Sequence, residues 1–261
     1  MRRWALLIVC LLLPALCVGE AAPPPLRHCT TVEEVSARLL MPDDAGDGTY
    51  QPVEAEAGYV RYISQTGLRD PAFCPDYWIA DEPGTELDLT LEERADGKPY
   101  AYYSGSMCTR AVYSMAMSYL GFDCSPGGMS LLLGSRDLPE PYDEVTALLS
   151  GVERVSFKTN AFERMFEQYL ADGSFSPVYI YLRKPNGRYH ALLVVARTAE
   201  GRYLVIDPSV HLVDGEPVYV YFIRFDKTYR TITNAAFARE YKGSVLLSCH
   251  QWRLTGGQNA P

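Results

Sequence analysis

Cys108 has the position expected of a nucleophilic thiol, because the sequence predicts that a buried helix begins there. Apolar side chains follow it at helical three- and four-residue spacing, and Gly121 ends the run. A helix start favours a thiolate, since unpaired backbone N–H groups and the positive end of the helix dipole lie there. A buried cysteine is more often a core residue or half of a disulfide, so Cys108 alone does not decide the chemistry.

A histidine and an aspartate follow on strands that the sequence places side by side. Alternating patterns and turn residues predict three consecutive strands, at 178–184, 189–197 and 202–209. If a four-residue loop joins the last two strands, Asp207 lies opposite Leu192 and on the same sheet face as His190. An aspartate there can accept a hydrogen bond from the imidazole and hold its tautomer.

Each of these residues also has an ordinary structural interpretation. A histidine at a strand end and an Asp-Pro turn are both common, and neither implies catalysis by itself. The shared sheet face and the chain order of thiol, imidazole and carboxylate together favour a catalytic group. His211 follows the turn predicted at Pro208, and we expect it on the surface, away from the pair.

The run from about Tyr100 to Ser209 resembles the papain-like cysteine peptidases related to bacteriocin double-glycine leader peptidases. The resemblance covers under half of the chain and rests on short motifs in a fixed order: Cys108, Tyr119-Leu120-Gly121, Pro177-Val178, His190 and Ile206-Asp207-Pro208. It implies that Cys108 is the nucleophile, His190 the general base and acid, and Asp207 the orienting group. It also implies an α+β papain-like fold, in which the helix carrying the nucleophile packs on an antiparallel β-sheet.

The oxyanion donor is assigned to a tyrosine. The family usually has Cys-Gly at the nucleophile and a glutamine shortly before it, whereas this chain has Cys108-Thr109 and no glutamine between residues 95 and 107. Tyr102 or Tyr103 lies near the right offset, and a phenol O–H can donate to an oxyanion. The nearest upstream glutamine, Gln65, precedes Cys74, which is therefore an alternative nucleophile. We prefer Cys108 because no helix pattern follows Cys74.

The N-terminus predicts export. Arg2 and Arg3 precede an apolar run that ends near Val18, and small residues follow, so residues 1–22 are interpreted as a signal peptide. We expect a secreted or periplasmic protein with no membrane segment after signal removal. The formal net charge is −8, and no basic cluster indicates a nucleic acid or an anionic membrane as a partner. We expect a peptide or protein substrate, and the oligomeric state stays open.

The cysteine count predicts two disulfides. The mature chain would keep five cysteines, an odd number, and an oxidising compartment then favours two disulfides and one free thiol at Cys108. The four expected to pair are Cys29, Cys74, Cys124 and Cys249, in any of three connectivities. Close-spaced cysteine pairs typical of zinc sites and glycine-rich phosphate loops are absent from the sequence, so we predict no metal and no cofactor.

The coarse organisation is a signal peptide, an N-terminal part at 23–99, a catalytic domain at 100–254 and a tail at 255–261. The N-terminal part is interpreted as an extension, a small subdomain or a cover over the active site. A helix capped by Thr31 and Glu34 is predicted at its start, and a second helix, capped by Asn160, over 161–171. No internal repeat occurs.

These observations predict an exported cysteine hydrolase, most simply a peptidase that cleaves an amide bond with a Cys-His-Asp triad. Two other enzyme classes share the order of residues, namely transglutaminase-like acyltransferases and cell-wall amide hydrolases. The third hypothesis is a catalytically weak or inactive binding module of the same fold. Reaction products separate the enzymes from one another, and thiol reactivity separates all of them from the binding module.

Overall fold

The computed structural model describes residues 24–41, 43–44, 50–51, 53–65, 108–124, 126, 142–235 and 239–255. The strands in this part are β1 Leu39–Leu40, β2 Asp43–Asp44, β3 Tyr50–Gln51, β4 Val60–Arg61, β5 Val152–Phe157, β6 Val178–Arg183, β7 Tyr189–Arg197, β8 Tyr203–Val213, β9 Glu216–Phe225, β10 Ile232–Ala235 and β11 Val245–Leu254. The α-helices are α1 Val32–Ser36, α2 Cys108–Tyr119, α3 Tyr142–Leu148 and α4 Phe162–Ala171.

Seven strands form one antiparallel sheet in the order β10-β9-β8-β7-β6-β11-β5. The other four strands form two short pairs, with β1 parallel to β4 and β2 antiparallel to β3. With helices packed against the large sheet, the architecture is α+β, as predicted.

The turns that bring the site strands together follow from local sequence. Between β6 and β7, Gly187 has φ +81°, and the Lys184 and Arg188 backbones close the predicted Pro-Asn-Gly turn. Between β7 and β8, Arg197 opposes Tyr203, whereas the prediction paired Arg197 with Arg202. An irregularity between Val194 and Ala196 then restores the predicted register, because Leu193 opposes Ile206.

α2 is the central helix of the described fold. All its residues are buried, and it packs on β7 with further contacts to β6, β8 and β4. Gly121 follows with φ +85°, a left-handed conformation that ends helices, as predicted. Burial on every side explains why polar residues such as Ser118 are hydrogen-bonded: its hydroxyl donates to the Met115 carbonyl and accepts from the Arg61 amide.

The N-terminal residues belong to the same hydrophobic core as α2. Leu26, Val35, Val60 and Tyr62 are fully buried in the cluster that also holds the sheet and α2. The predicted boundary at residue 99 lies outside the described residues. None of the described helices is long and apolar enough to cross a membrane.

One predicted helix cap is confirmed and one is wrong. Thr31 caps α1, accepting from the Glu34 amide while the Glu34 carboxylate accepts from the Thr31 amide. Asn160 does not cap α4, because it lies inside a 3-10 turn, Thr159–Ala161, that leads into the helix. The Asn160 backbone is therefore already part of a helical turn, and Ala161 is the N-cap residue of α4.

Candidate active site

Cys108 begins α2 and is a free thiol, 5% exposed, facing the sheet. The helix packs mainly against β7, the strand that carries His190. The sulfur lies close enough to His190 for its hydrogen bond and its charge to act on the ring. The structure therefore brings together a thiol and an imidazole that are far apart in sequence.

His190 is held from the other side by Asp207. The ring Nε2 lies 2.8 Å from Asp207 Oδ1, and both side chains are buried. Because Nε2 is occupied by the carboxylate, Nδ1 is the ring nitrogen available to Cys108. The three side chains thus follow one another as thiol, imidazole and carboxylate.

Electrostatics favours a charged imidazole at this position. Burial by itself lowers the pKa of His190, but the charge and hydrogen bond of Asp207, together with Cys108, outweigh burial, and the pKa of His190 rises to about 9. Burial likewise works to raise the pKa of Asp207, yet the adjacent His190 and His211 rings hold it far below the usual carboxyl range. Both shifts favour an imidazolium paired with a carboxylate.

Four donors lock the Asp207 carboxylate in place. Oδ1 accepts from His190 Nε2 and, at 2.8 Å, from the Ser209 amide. Oδ2 lies 2.7 Å from the Tyr221 hydroxyl and 2.9 Å from His211 Nε2. Every lone-pair direction of a fully buried carboxylate is thereby used, which fixes the orientation of the oxygen facing His190.

The expectation for His211 was wrong, because β8 does not end at Pro208. The strand continues to Val213. Ile206 opposes Val220, but His211, five residues further along β8, opposes Val218, which is only two residues further along β9. Pro208, which has no N–H, lies in this bulge. The bulge shortens the path and returns the His211 ring to Asp207, so the ring is part of the site.

Aromatic rings enclose the imidazole–carboxylate pair. Tyr241, from a 3-10 turn at Arg239–Tyr241, stacks on His190 with ring centroids 5.2 Å apart and a 13° angle between planes. Tyr221 lies parallel to Tyr241 at 6.4 Å. The Lys184 ammonium lies 4.4 Å from the centre of the Tyr241 ring. Burial, followed by the charges of Asp207 and its neighbours, raises the pKa of both phenols, so both stay neutral.

Gln65 contacts the two residues that follow Asp207, a position that the sequence analysis did not predict. Its backbone amide donates to the Pro208 carbonyl at 2.7 Å, and its side-chain Nε2 donates to Ser209 Oγ at 2.6 Å. The preceding residues run along α2, where Gly58 N donates to the Tyr119 carbonyl. The interval of more than forty residues between Gln65 and Cys108 concealed this relationship, although the Arg-Tyr-Ile-Ser-Gln run was a signal for it.

The predicted pair of disulfides is not present. Cys29 and Cys249 are free and buried, and two disulfides among the four predicted cysteines would need both of them. Each thiol has its own place in the core: Cys249 is in the middle of β11, and Cys29 faces the Pro24 and Pro25 carbonyls. Burial raises the pKa of Cys29 and of Cys249 to about 12, which keeps both as unreactive thiols.

The remaining predicted residues lie outside the described part of the chain. These are the oxyanion candidates Tyr102 and Tyr103, the alternative nucleophile Cys74, and the signal peptide. Within the described ranges, no group of three or more histidine, cysteine and acidic side chains could hold a metal ion. No protein-family model matches this chain, and no curated protein matches it with significance.

Proposed function

We propose that this chain is an exported cysteine hydrolase with a papain-like fold, whose triad is Cys108, His190 and Asp207. The observation that carries the proposal is a buried imidazole placed between a free thiol and a buried carboxylate. An uncompensated charge at such depth is costly, so an imidazolium kept there needs a negative partner, which the Asp207 carboxylate supplies. A purely structural histidine would be satisfied by one neutral hydrogen-bond partner.

The proposed reaction is acyl transfer from an amide to water. The Cys108 thiolate attacks the carbonyl carbon, and the His190 imidazolium gives its Nδ1 proton to the leaving amine as the C–N bond breaks. The product is a thioester on Cys108 and a neutral imidazole. Water then adds to the thioester while His190 takes its proton, and the carbon–sulfur bond breaks to release the acid and restore the thiolate and the imidazolium. Asp207 keeps Nδ1 directed at the sulfur throughout both steps.

The oxyanion donor has two proposed origins. Tyr102 and Tyr103 remain candidates from their sequence offset. Gln65 is the second candidate, because it packs against Pro208 and Ser209, next to the triad carboxylate, and its side chain carries an amide donor. In either case, the backbone N–H of Cys108 at the start of α2 supplies a further donor, since the first N–H groups of a helix have no partner within the helix.

Export is proposed from the N-terminal pattern alone. Residues 1–22 would be removed, and the mature chain would begin just before the proline-rich segment at 23–25. N-terminal sequencing of the protein recovered outside the producing cytoplasm tests this. A mature protein that still begins at Met1 contradicts the signal peptide.

The function is tested with an electrophilic peptide probe and with product analysis. A peptidyl vinyl sulfone should bond to Cys108 in the folded chain, and the bonding should be lost in His190→Ala. New free termini on a peptide library mean peptidase activity, an amine joined to a glutamine side chain means transfer, and release of cell-wall stem peptides means amide hydrolysis of that polymer. If the probe labels Cys108 no faster than an unfolded thiol, the chain is a binding module and the proposal is wrong.

A further inference from the structure

Asp207 lies between two histidines, only one of which belongs to the proposed triad. His190 Nε2 contacts Oδ1 at 2.8 Å, and His211 Nε2 contacts Oδ2 at 2.9 Å. The two rings approach the carboxylate through different oxygens, so they do not compete for one acceptor site. A second imidazole on the triad carboxylate therefore needs an explanation of its own.

The surroundings of His211 fix its ring and suit a positive charge. Its Nδ1 lies 3.7 Å from Glu240 Oε1, so a carboxylate faces each ring nitrogen. The rings of Tyr221 and Tyr241 meet it edge-on, at 5.9 Å each. The groups that face His211 thus come from three elements: Asp207 on its own strand, Tyr221 on β9, and Glu240 and Tyr241 on the 3-10 turn. Only its protonated form donates at both nitrogens.

The strand bulge at 207–210 makes this contact possible. In a regular strand, residues four apart are about 13 Å apart along the chain, too far for a short hydrogen bond between their side chains. The five-against-two pairing of β8 and β9 contracts that distance. Bulges beside active sites re-aim a side chain, and here the side chain that is re-aimed is His211.

We propose that His211 is a positioning residue that clamps Asp207 from the side opposite His190, and that its protonated form extends to lower pH the range in which Cys108 reacts. The inference rests on the proposed function, because it acts through the triad carboxylate. The neutral form of His211 supplies the hydrogen bond to Asp207, and the cationic form of His211 also adds a positive charge next to that carboxylate.

The sign of the charge effect follows from Coulomb's law. A positive charge on His211, next to the Asp207 carboxylate, favours the Cys108 thiolate and the Asp207 carboxylate over their protonated forms. Removing the His211 charge therefore makes both groups take up a proton at higher pH. On the acid side of the profile, the pH at which Cys108 loses its reactivity should rise. The alkaline side of the profile should stay unchanged.

The test is the pH profile of Cys108 alkylation by iodoacetamide, followed by mass spectrometry of the Cys108 peptide in the folded full chain. His211→Gln keeps an amide donor near the position of Nε2 but has no charge. We expect its acid limb to lie higher than that of the wild type by roughly half a pH unit, with a plateau within a few-fold. His211→Phe should show the same displacement and a plateau lowered by roughly tenfold, because the hydrogen bond is lost too.

Two further variants make the outcomes distinct. His28→Gln removes the histidine of the N-terminal 3-10 turn and should leave the profile unchanged. His190→Ala separates this inference from the proposed function. If Cys108 in His190→Ala keeps the wild-type profile, the triad itself is wrong. If Cys108 depends on His190 while His211→Gln keeps the wild-type acid limb, the triad stands and the role of His211 is overturned.

Discussion

The imidazole of His190 and the phenol ring of Tyr241 lie nearly parallel, with centroids 5.2 Å apart. The stack covers one face of the ring and holds the ring plane that aims Nδ1 at Cys108. Aromatic stacking contributes about 0.5–1.5 kcal/mol beyond the burial of area, so it can bias an orientation without fixing it alone.

Replacing Tyr241 should separate ring stacking from the phenol group. Tyr241→Phe keeps the stack and should leave Cys108 alkylation within a few-fold of the wild type. Tyr241→Leu removes the stack, and we expect the rate at neutral pH to fall by roughly two- to tenfold. Equal rates for Leu and Phe variants would mean that the stack does not orient His190.

Replacing Asp207 by asparagine should change the protonation of His190. The amide keeps the size of the side chain but removes the charge that opposes burial, so the pKa of His190 should fall well below 9. Titration of the ring by NMR measures this directly. Thiol reactivity at neutral pH should fall at least about tenfold, because the imidazolium that pairs with the thiolate is no longer maintained. An unchanged His190 titration would contradict the coupling.

Stability should fall as the pH rises above the ordinary histidine range. The folded-state pKa of His190 is about 9, above its ordinary value of 6.5, so its contribution is fully present below pH 6.5 and is lost as the pH rises through 9. The loss should be on the order of 3 kcal/mol in urea unfolding. His190→Ala should be less stable than the wild type at pH 6 but show a flatter alkaline limb. A wild type equally stable at pH 6 and 9.5 would contradict this.

A second buried histidine, His250, should lower the stability of the fold at acid pH. Burial and, to a smaller degree, Arg154 lower the pKa of His250 to about 4, so between pH 6.5 and 4 the unfolded chain binds a proton that the folded chain does not. Stability should therefore decline as the pH drops through this window. His250→Phe should lessen the decline, whereas the surface variant Lys227→Gln should not. The same slope in His250→Phe and wild type would exclude His250 as its source.

The oxyanion candidates can be ranked with one chromogenic ester. On p-nitrophenyl acetate, loss of the true donor should lower kcat by roughly 100- to 1000-fold. Gln65→Ala, Tyr102→Phe and Tyr103→Phe should therefore differ sharply, and we expect a large loss in only one of them. Alkylation of Cys108 should stay normal in that variant, since no oxyanion forms in alkylation. Three fully active variants would mean that the donor lies elsewhere.

The local sequence determined the elements that carry the candidate site. The apolar spacing after Cys108 predicted α2, and alternation with short turns predicted β6, β7 and the start of β8, but not its continuation to Val213. These are short-range effects: side-chain periodicity and turn residues act within a few positions of the chain. The facing of His190 and Asp207 was predicted from the pairing of these two strands, and the irregularity between Val194 and Ala196 offsets the one-residue error in the predicted loop.

The tertiary structure decided what surrounds that pair. His211 reaches Asp207 through a bulge that no alternation pattern encodes, and Tyr241 arrives from a turn fifty residues beyond His190. The disulfide prediction failed for a related reason: a cysteine count cannot tell that Cys29, Cys124 and Cys249 are buried in separate parts of the core. Periodicity fixes which face a residue takes, but packing of distant segments fixes which residues meet there.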